Sequence, residues 1–110
     1  MDLTIDVTDA DNQSTVWLSG EIDAYTAPQL KEALVPLTTS EGHQVIVDLE
    51  DVGYMDSTGL GIFISALKSA KEHNSSIRLK NLQDRVLRLF QITGLDDIFT
   101  IDTAIWGGNK

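Results

Sequence analysis

"VIVDLEDVGYMDSTGLGIFI", residues 45–64, passes from a β-branched run to a helical pattern through one short turn. Val45 to Leu49 follows the Glu41-Gly42 break and reads as a strand covered on both faces, central to a sheet. A helix then starts near Thr58, with Leu60, Phe63, Ile64, Leu67 and the stem of Lys71 on one apolar stripe. The junction holds three candidate caps, Asp56, Ser57 and Thr58, where one side-chain oxygen suffices. Backbone N–H groups and the helix dipole at such an end favour an anion, and phosphate is a suitable one. Gly59 and Gly61 reduce bulk there, although glycine costs about 1 kcal/mol relative to alanine inside a helix. Two readings of these residues stand side by side: an anion-accepting helix end, or an ordinary cap by Ser57 or Asp56 with glycines that allow close packing on a strand.

Further along this helix, Ile62 falls opposite the expected core stripe, together with Ser65 and Ser69. It is expected to be exposed, an apolar knob among the small residues Gly61, Ser65 and Ser69 that a partner could approach.

Upstream, Leu3 to Val7 and Val16 to Ile22 read as two short strands joined through a polar turn, Asp9 to Ser14, and so as a hairpin. From a Thr26 cap, Leu30, Ala33, Leu34 and Leu37 recur at helical spacing, with Pro28 in the first turn. Pro36 cannot donate to the carbonyl of Glu32, so this helix should kink or stop near Val35. Downstream come a strand from Ile77 to Leu82 and a helix from an Asp84 cap through Val86, Leu87 and Phe90 to a terminal Gly94. A last β-like piece, Ile98 to Ile101, precedes the Gly107-Gly108-Asn109 tail. The order β-β-α-β-α-β-α, with a possible final strand, predicts an α/β fold with one sheet carrying helices. Length, 110 residues, predicts one domain over residues 1–110.

Composition narrows the function classes. The chain has no cysteine, which removes disulfides and thiolate chemistry and suits a reducing compartment. Its acidic start lacks the pattern of a secretion signal, and its apolar runs are far too short for a membrane span, so a cytoplasmic protein is expected. The formal charge is -9, with 12 acidic and 1 basic side chains in residues 1–57 against 5 and 7 in residues 58–110. Such a surface repels nucleic acid; it aids solubility and favours a basic protein partner.

Catalytic and metal motifs are missing. "MDSTG" has Met55 where a G-x-S-x-G nucleophile elbow needs its first glycine, and neither His43 nor His73 sits in a partner motif. The two histidines form no metal-binding pair, and "GLG" lacks the lysine and spacing of a phosphate-binding loop. No catalytic residue, cofactor or metal is expected, and Trp17 and Trp106 are read as packing residues.

Three stretches together carry a resemblance: "LSGEIDAYTAPQLKEAL" at 18–34, "VIVDLEDVGYMDSTGLGIFI" at 45–64 and "RVLRLFQITGLDDIFTI" at 85–101. Over nearly its full length the chain resembles the anti-sigma factor antagonists of the STAS family, specifically the bacterial stress-response type. The resemblance implies a mixed sheet of four or five strands with helices mainly on one face, and a protein that is not an enzyme. It implies that Ser57 is phosphorylated, and that the unphosphorylated form binds an anti-sigma factor serine kinase, releasing the sigma factor to permit transcription. The ATP-using kinase then switches binding off, and a PP2C-type phosphatase restores it. Asp23 and Asp56 match the family's acidic positions near this serine. With the local reading, the expected partner-binding set is Asp23, Asp56, Ser57, Thr58, Gly59, Gly61, Ile62 and Ser65, on a free monomer. The alternative is a STAS interaction subunit of another complex, without a phosphorylation cycle.

Overall fold

Residues 2–102 are described by a computed structural model, in the order β1 (Leu3–Ala10), β2 (Gln13–Ile22), α1 (Ala27–Leu34), a 3-10 turn (Val35–Thr39), β3 (Gln44–Met55), α2 (Ser57–Glu72), β4 (Ser76–Lys80), α3 (Asp84–Ile92), a 3-10 turn (Leu95–Asp97) and β5 (Thr100–Asp102). One five-stranded sheet runs in the order β1-β2-β3-β4-β5. β1 is antiparallel to β2 and every other pair is parallel, so the expected mixed α/β sheet is present with β3 at its centre. Trp106 and the glycine-rich tail lie outside the described residues. Among the described residues, no helix is long and apolar enough to cross a membrane.

Strand alternation decides where the core lies. Val16, Leu18, Val45, Val47, Leu49 and Leu79 point to one face and are almost wholly buried, joined by Leu30 and Leu34 of α1, Phe63 of α2 and Val86 and Phe90 of α3. Phe63, Phe90 and Phe99 meet edge to face, with ring centroids 5.6 to 6.5 Å apart, the arrangement favoured by their quadrupoles. β3 is therefore not covered equally on both sides, contrary to its sequence pattern. Ile46 is only half-buried on the other face, and Trp17, expected to pack, is 42% exposed there. Beside Trp17, Asp48 is buried but satisfied, accepting from Glu50 N–H at 2.9 Å and Asn81 Nδ2 at 3.1 Å.

The hairpin forms with a tighter turn than expected. Only Asp11 and Asn12 lie between the strands, because the polar residues around them still pair across the ladder, Asp9 with Ser14 and Ala10 with Gln13. Ser14 is fully buried; its hydroxyl donates to the Asp9 carboxylate and lies 2.7 Å from His43 Nε2. A hydroxyl has one proton to give, so His43 Nε2 donates to Ser14 and ties the hairpin to the approach of β3.

Several boundaries differ by identifiable causes. α1 stops at Leu34 and the chain tightens into the 3-10 turn containing Pro36, as the missing proline N–H requires. β4 ends at Lys80 rather than Leu82, because Asn81 takes a left-handed φ of 61°. Gln83, not Asp84, holds the cap position of α3, with Asp84 at its first residue; Gly94 closes it at φ 77° as expected. β5 starts at Thr100 because Ile98 and Phe99 are still bonded back to Leu95, at 3.1 Å each.

Candidate functional site

Parallel pairing brings the ends of β2 and β3 together. Ile22 is in register with Met55, and Asp56 N–H donates to Ile22 carbonyl at 3.2 Å. Beyond this last rung the two segments turn toward α1 and α2, so that Asp23 and Asp56 each stand one residue past the paired strand ends, with Tyr25 and Ser57 following them along the chain.

Asp56 takes the cap. Its backbone is extended, and its Oδ1 accepts from Thr58 N–H at 3.0 Å and Gly59 N–H at 3.2 Å. Ser57 is then the first residue of α2, one earlier than the sequence pattern indicated. Its side chain is exposed and, among the described residues, makes no hydrogen bond; Thr58 is exposed as well. The first-turn amides of Thr58 and Gly59, expected to be open to an anion, are filled by the protein's own carboxylate. Of the two local readings, Asp56 is the ordinary cap, and Ser57 is a hydroxyl left over from it.

Asp23 repeats the arrangement. Its Oδ1 accepts from Tyr25 N–H at 2.9 Å and Thr26 N–H at 3.1 Å, and Ala27 N–H bonds its carbonyl at 2.8 Å. Thr26 holds the N-cap position of α1 as expected, but with a helical backbone and no capping bond from its side chain. It is buried, with Oγ1 donating to Glu21 carbonyl and accepting from Asp23 N–H, both at 2.9 Å. The turn from Asp23 to Thr26 is thus held from inside.

The two glycines have separate roles. Gly59 is buried, and a Cβ there would lie 2.6 Å from Ile22 Cγ2 and 2.8 Å from Met55 Cγ. It allows close packing of α2 on the strand ends, the structural reading of this glycine, and is buried rather than open at the surface. Gly61 is exposed, and a Cβ at that position would meet nothing within 4 Å. Room for an approaching surface exists at Gly61.

Two expectations for α2 also change. Ile62 is half-buried and packs against the core rather than standing exposed. Ser69 is buried, its Oγ 2.7 Å from Thr38 Oγ1 of the 3-10 turn. The buried face of α2 is centred on Leu60, Phe63, Ala66 and Ala70, while Ile64 and Leu67 are half-buried. Alanines at 66 and 70 let the helix come close to its neighbours, and that face rotates away from the bulkier residues. Ser65 is half-buried. Asp23, Asp56, Ser57, Thr58 and Gly61 remain grouped at the strand ends and the first turns that follow.

Sequence reasoning passed over Tyr25 and Tyr54, which border this site and are 88% and 47% exposed. Tyr54 precedes Met55 on the sheet face opposite the core, paired with Glu21; Tyr25 sits in the capped turn. The available signal was an aromatic residue in a polar turn, between Asp23 and the first apolar residue of α1.

A family model for the STAS domain matches residues 4–105. The anti-sigma-B factor antagonist of Bacillus subtilis (strain 168) is 46% identical over 108 residues, 98% of each chain. The crystal structure of an anti-sigma factor antagonist from Mycobacterium paratuberculosis is 30% identical, covers 94% of this chain and 87% of its own, and superposes with a TM-score of 0.79. The Bacillus cell fate determinant SpoIIAA in its phosphorylated form shares the fold, with a TM-score of 0.68 at 19% identity over 92% of this chain and 93% of its own. Strand order, the paired strand ends and a match over most of the sequence agree: the chain belongs to the STAS domain family.

Proposed function

We propose that this protein is an anti-sigma factor antagonist of the stress-response type, a binding protein rather than an enzyme, switched by phosphorylation of Ser57. The observation that carries the reading is the Ser57 hydroxyl: exposed, unbonded and fixed at the first residue of α2 by the Asp56 cap. The 46% identity to the Bacillus subtilis antagonist over nearly the whole chain supports the same reading. The unphosphorylated form binds an anti-sigma factor that is also a serine kinase, and a sigma factor is released. The kinase transfers the γ-phosphoryl group of ATP to Ser57 Oγ: a new O–P bond forms, the bond to ADP breaks and the serine proton departs. A PP2C-type phosphatase hydrolyses the ester and restores the binding form.

The charge arithmetic favours an interface switch. A phosphoryl group brings about -1.5 to -2 charges to a helix end where Asp56 already offsets the dipole. Its effect falls on a partner surface shaped for a hydroxyl, where phosphate must lose water beside Asp23 and Asp56. Reversing a 99:1 preference takes about 5.5 kcal/mol, within reach of one buried, unpaired phosphate.

Incubation with an anti-sigma factor serine kinase and ATP, read by intact mass, tests the proposal. One added phosphate, lost in Ser57→Ala, is the expected result; no gain with an active kinase would overturn it in favour of a STAS subunit without a phosphorylation cycle.

A further inference from the structure

Tyr25 has no structural task that accounts for its position. Its ring is 88% exposed, so it contributes little to the core, yet its backbone N–H is tied into the turn by a side-chain bond. Tyr25 N–H donates to Asp23 Oδ1, and the flanking Thr26 is fixed by Glu21 carbonyl and Asp23 N–H. An aromatic ring on a rigid turn loses little conformational freedom on contact, since only two side-chain torsions remain to be ordered. Its neighbourhood is acidic: Asp23 lies on the same turn, Glu21 stands at the end of β2 just before it, and Asp56 caps the helix after the adjacent strand. Asp23 uses Oδ1 for its turn; among the described residues, Oδ2 accepts nothing. An exposed aromatic ring two residues along the same turn from a carboxylate with spare capacity offers the chemistry of a guanidinium site, which can stack on a ring and donate to a carboxylate.

We infer that Tyr25 is a specificity contact of the Ser57 surface, receiving an arginine side chain of the anti-sigma factor. The inference rests on the function proposed above and adds to it the chemistry of the partner's matching group. It also gives the acidic strand ends a local use, holding a cation next to the serine until phosphorylation alters the surface.

Binding is measured by calorimetry against the anti-sigma-B factor homologue of the same organism, for the wild type, Tyr25→Phe, Tyr25→Leu and Tyr25→Ala, with thermal unfolding of each. Expected are unchanged unfolding midpoints, Phe within about twofold of wild type, and Leu and Ala weaker by roughly fivefold to thirtyfold, the range of a cation on an aromatic face. Wild-type affinity in the Ala variant overturns the contact, and Leu binding as well as Phe overturns the cation. In both cases Ser57 phosphorylation of the wild type, followed by mass in the same samples, leaves the proposed function standing. A wild type that neither binds nor is phosphorylated overturns both proposals together.

Discussion

Asp23 and Asp56 occupy equivalent places at the ends of neighbouring parallel strands, each accepting with Oδ1 from the amides two and three residues ahead. The same carboxylates border Ser57, so scaffold and candidate interface share atoms. Loss of binding on removing either aspartate has two sources that must be measured apart.

Asp56→Ala and Asp23→Ala should each lower stability by about 0.5–2 kcal/mol, the usual effect of losing such a cap. Ser57→Ala should change it by less than about 0.5 kcal/mol, because the hydroxyl is exposed and bonds nothing. Urea unfolding of the three variants checks this; a Ser57→Ala loss as large as that of Asp56→Ala would mean that the serine, too, holds the helix.

The glycines should respond in opposite directions. A methyl at Gly59 collides with Ile22 and Met55, so Gly59→Ala should cost about 1–3 kcal/mol. Gly61→Ala meets open space and should stabilise α2 by up to about 1 kcal/mol. If Gly61 also admits the partner, the more stable variant binds more weakly, a combination visible by pairing thermal melts with affinity measurements.

Phosphorylation should leave the backbone in place. Amide spectra of the two forms should differ at residues 56–60 and in the Asp23 turn and agree across the sheet. Shifts spreading into β4 or α3 would require a conformational switch instead.

Association should slow as salt rises, because the -11 charge of residues 1–57 lies in the half that supplies both strand ends. Stopped-flow on-rates from low to physiological salt provide the measurement, and a flat profile would remove steering from the account.

Much of this architecture was legible because β3 and α2 announce themselves by their periods. The proline stop after α1 and the glycine end of α3 follow from single residues with fixed backbone demands. What misled was size and neighbourhood. Ala66 and Ala70 carry a weak hydrophobic signal, so the core face of α2 was drawn through Leu67, leaving Ile62 and Ser69 apparently outside. Likewise, Ile46 and Asp48 cannot be told from the residues of a doubly covered strand without knowing where the helices lie. At the site, the spacing exposed the surplus of caps at 56–58; that Asp56 takes the role depends on backbone angles no pattern displays. Tyr25 went unnoticed because a capped turn has no period.

The prior occupation of the Thr58 and Gly59 amides by Asp56 bears on the lifetime of the proposed off state. A phosphoryl group on Ser57 finds those two donors taken, so it cannot fold back onto them and hide. In the proposed cycle it would stay at the surface, as open to a phosphatase as the hydroxyl is to a kinase. On that proposal the duration of the signal would be set by the enzymes around the protein rather than by the fold.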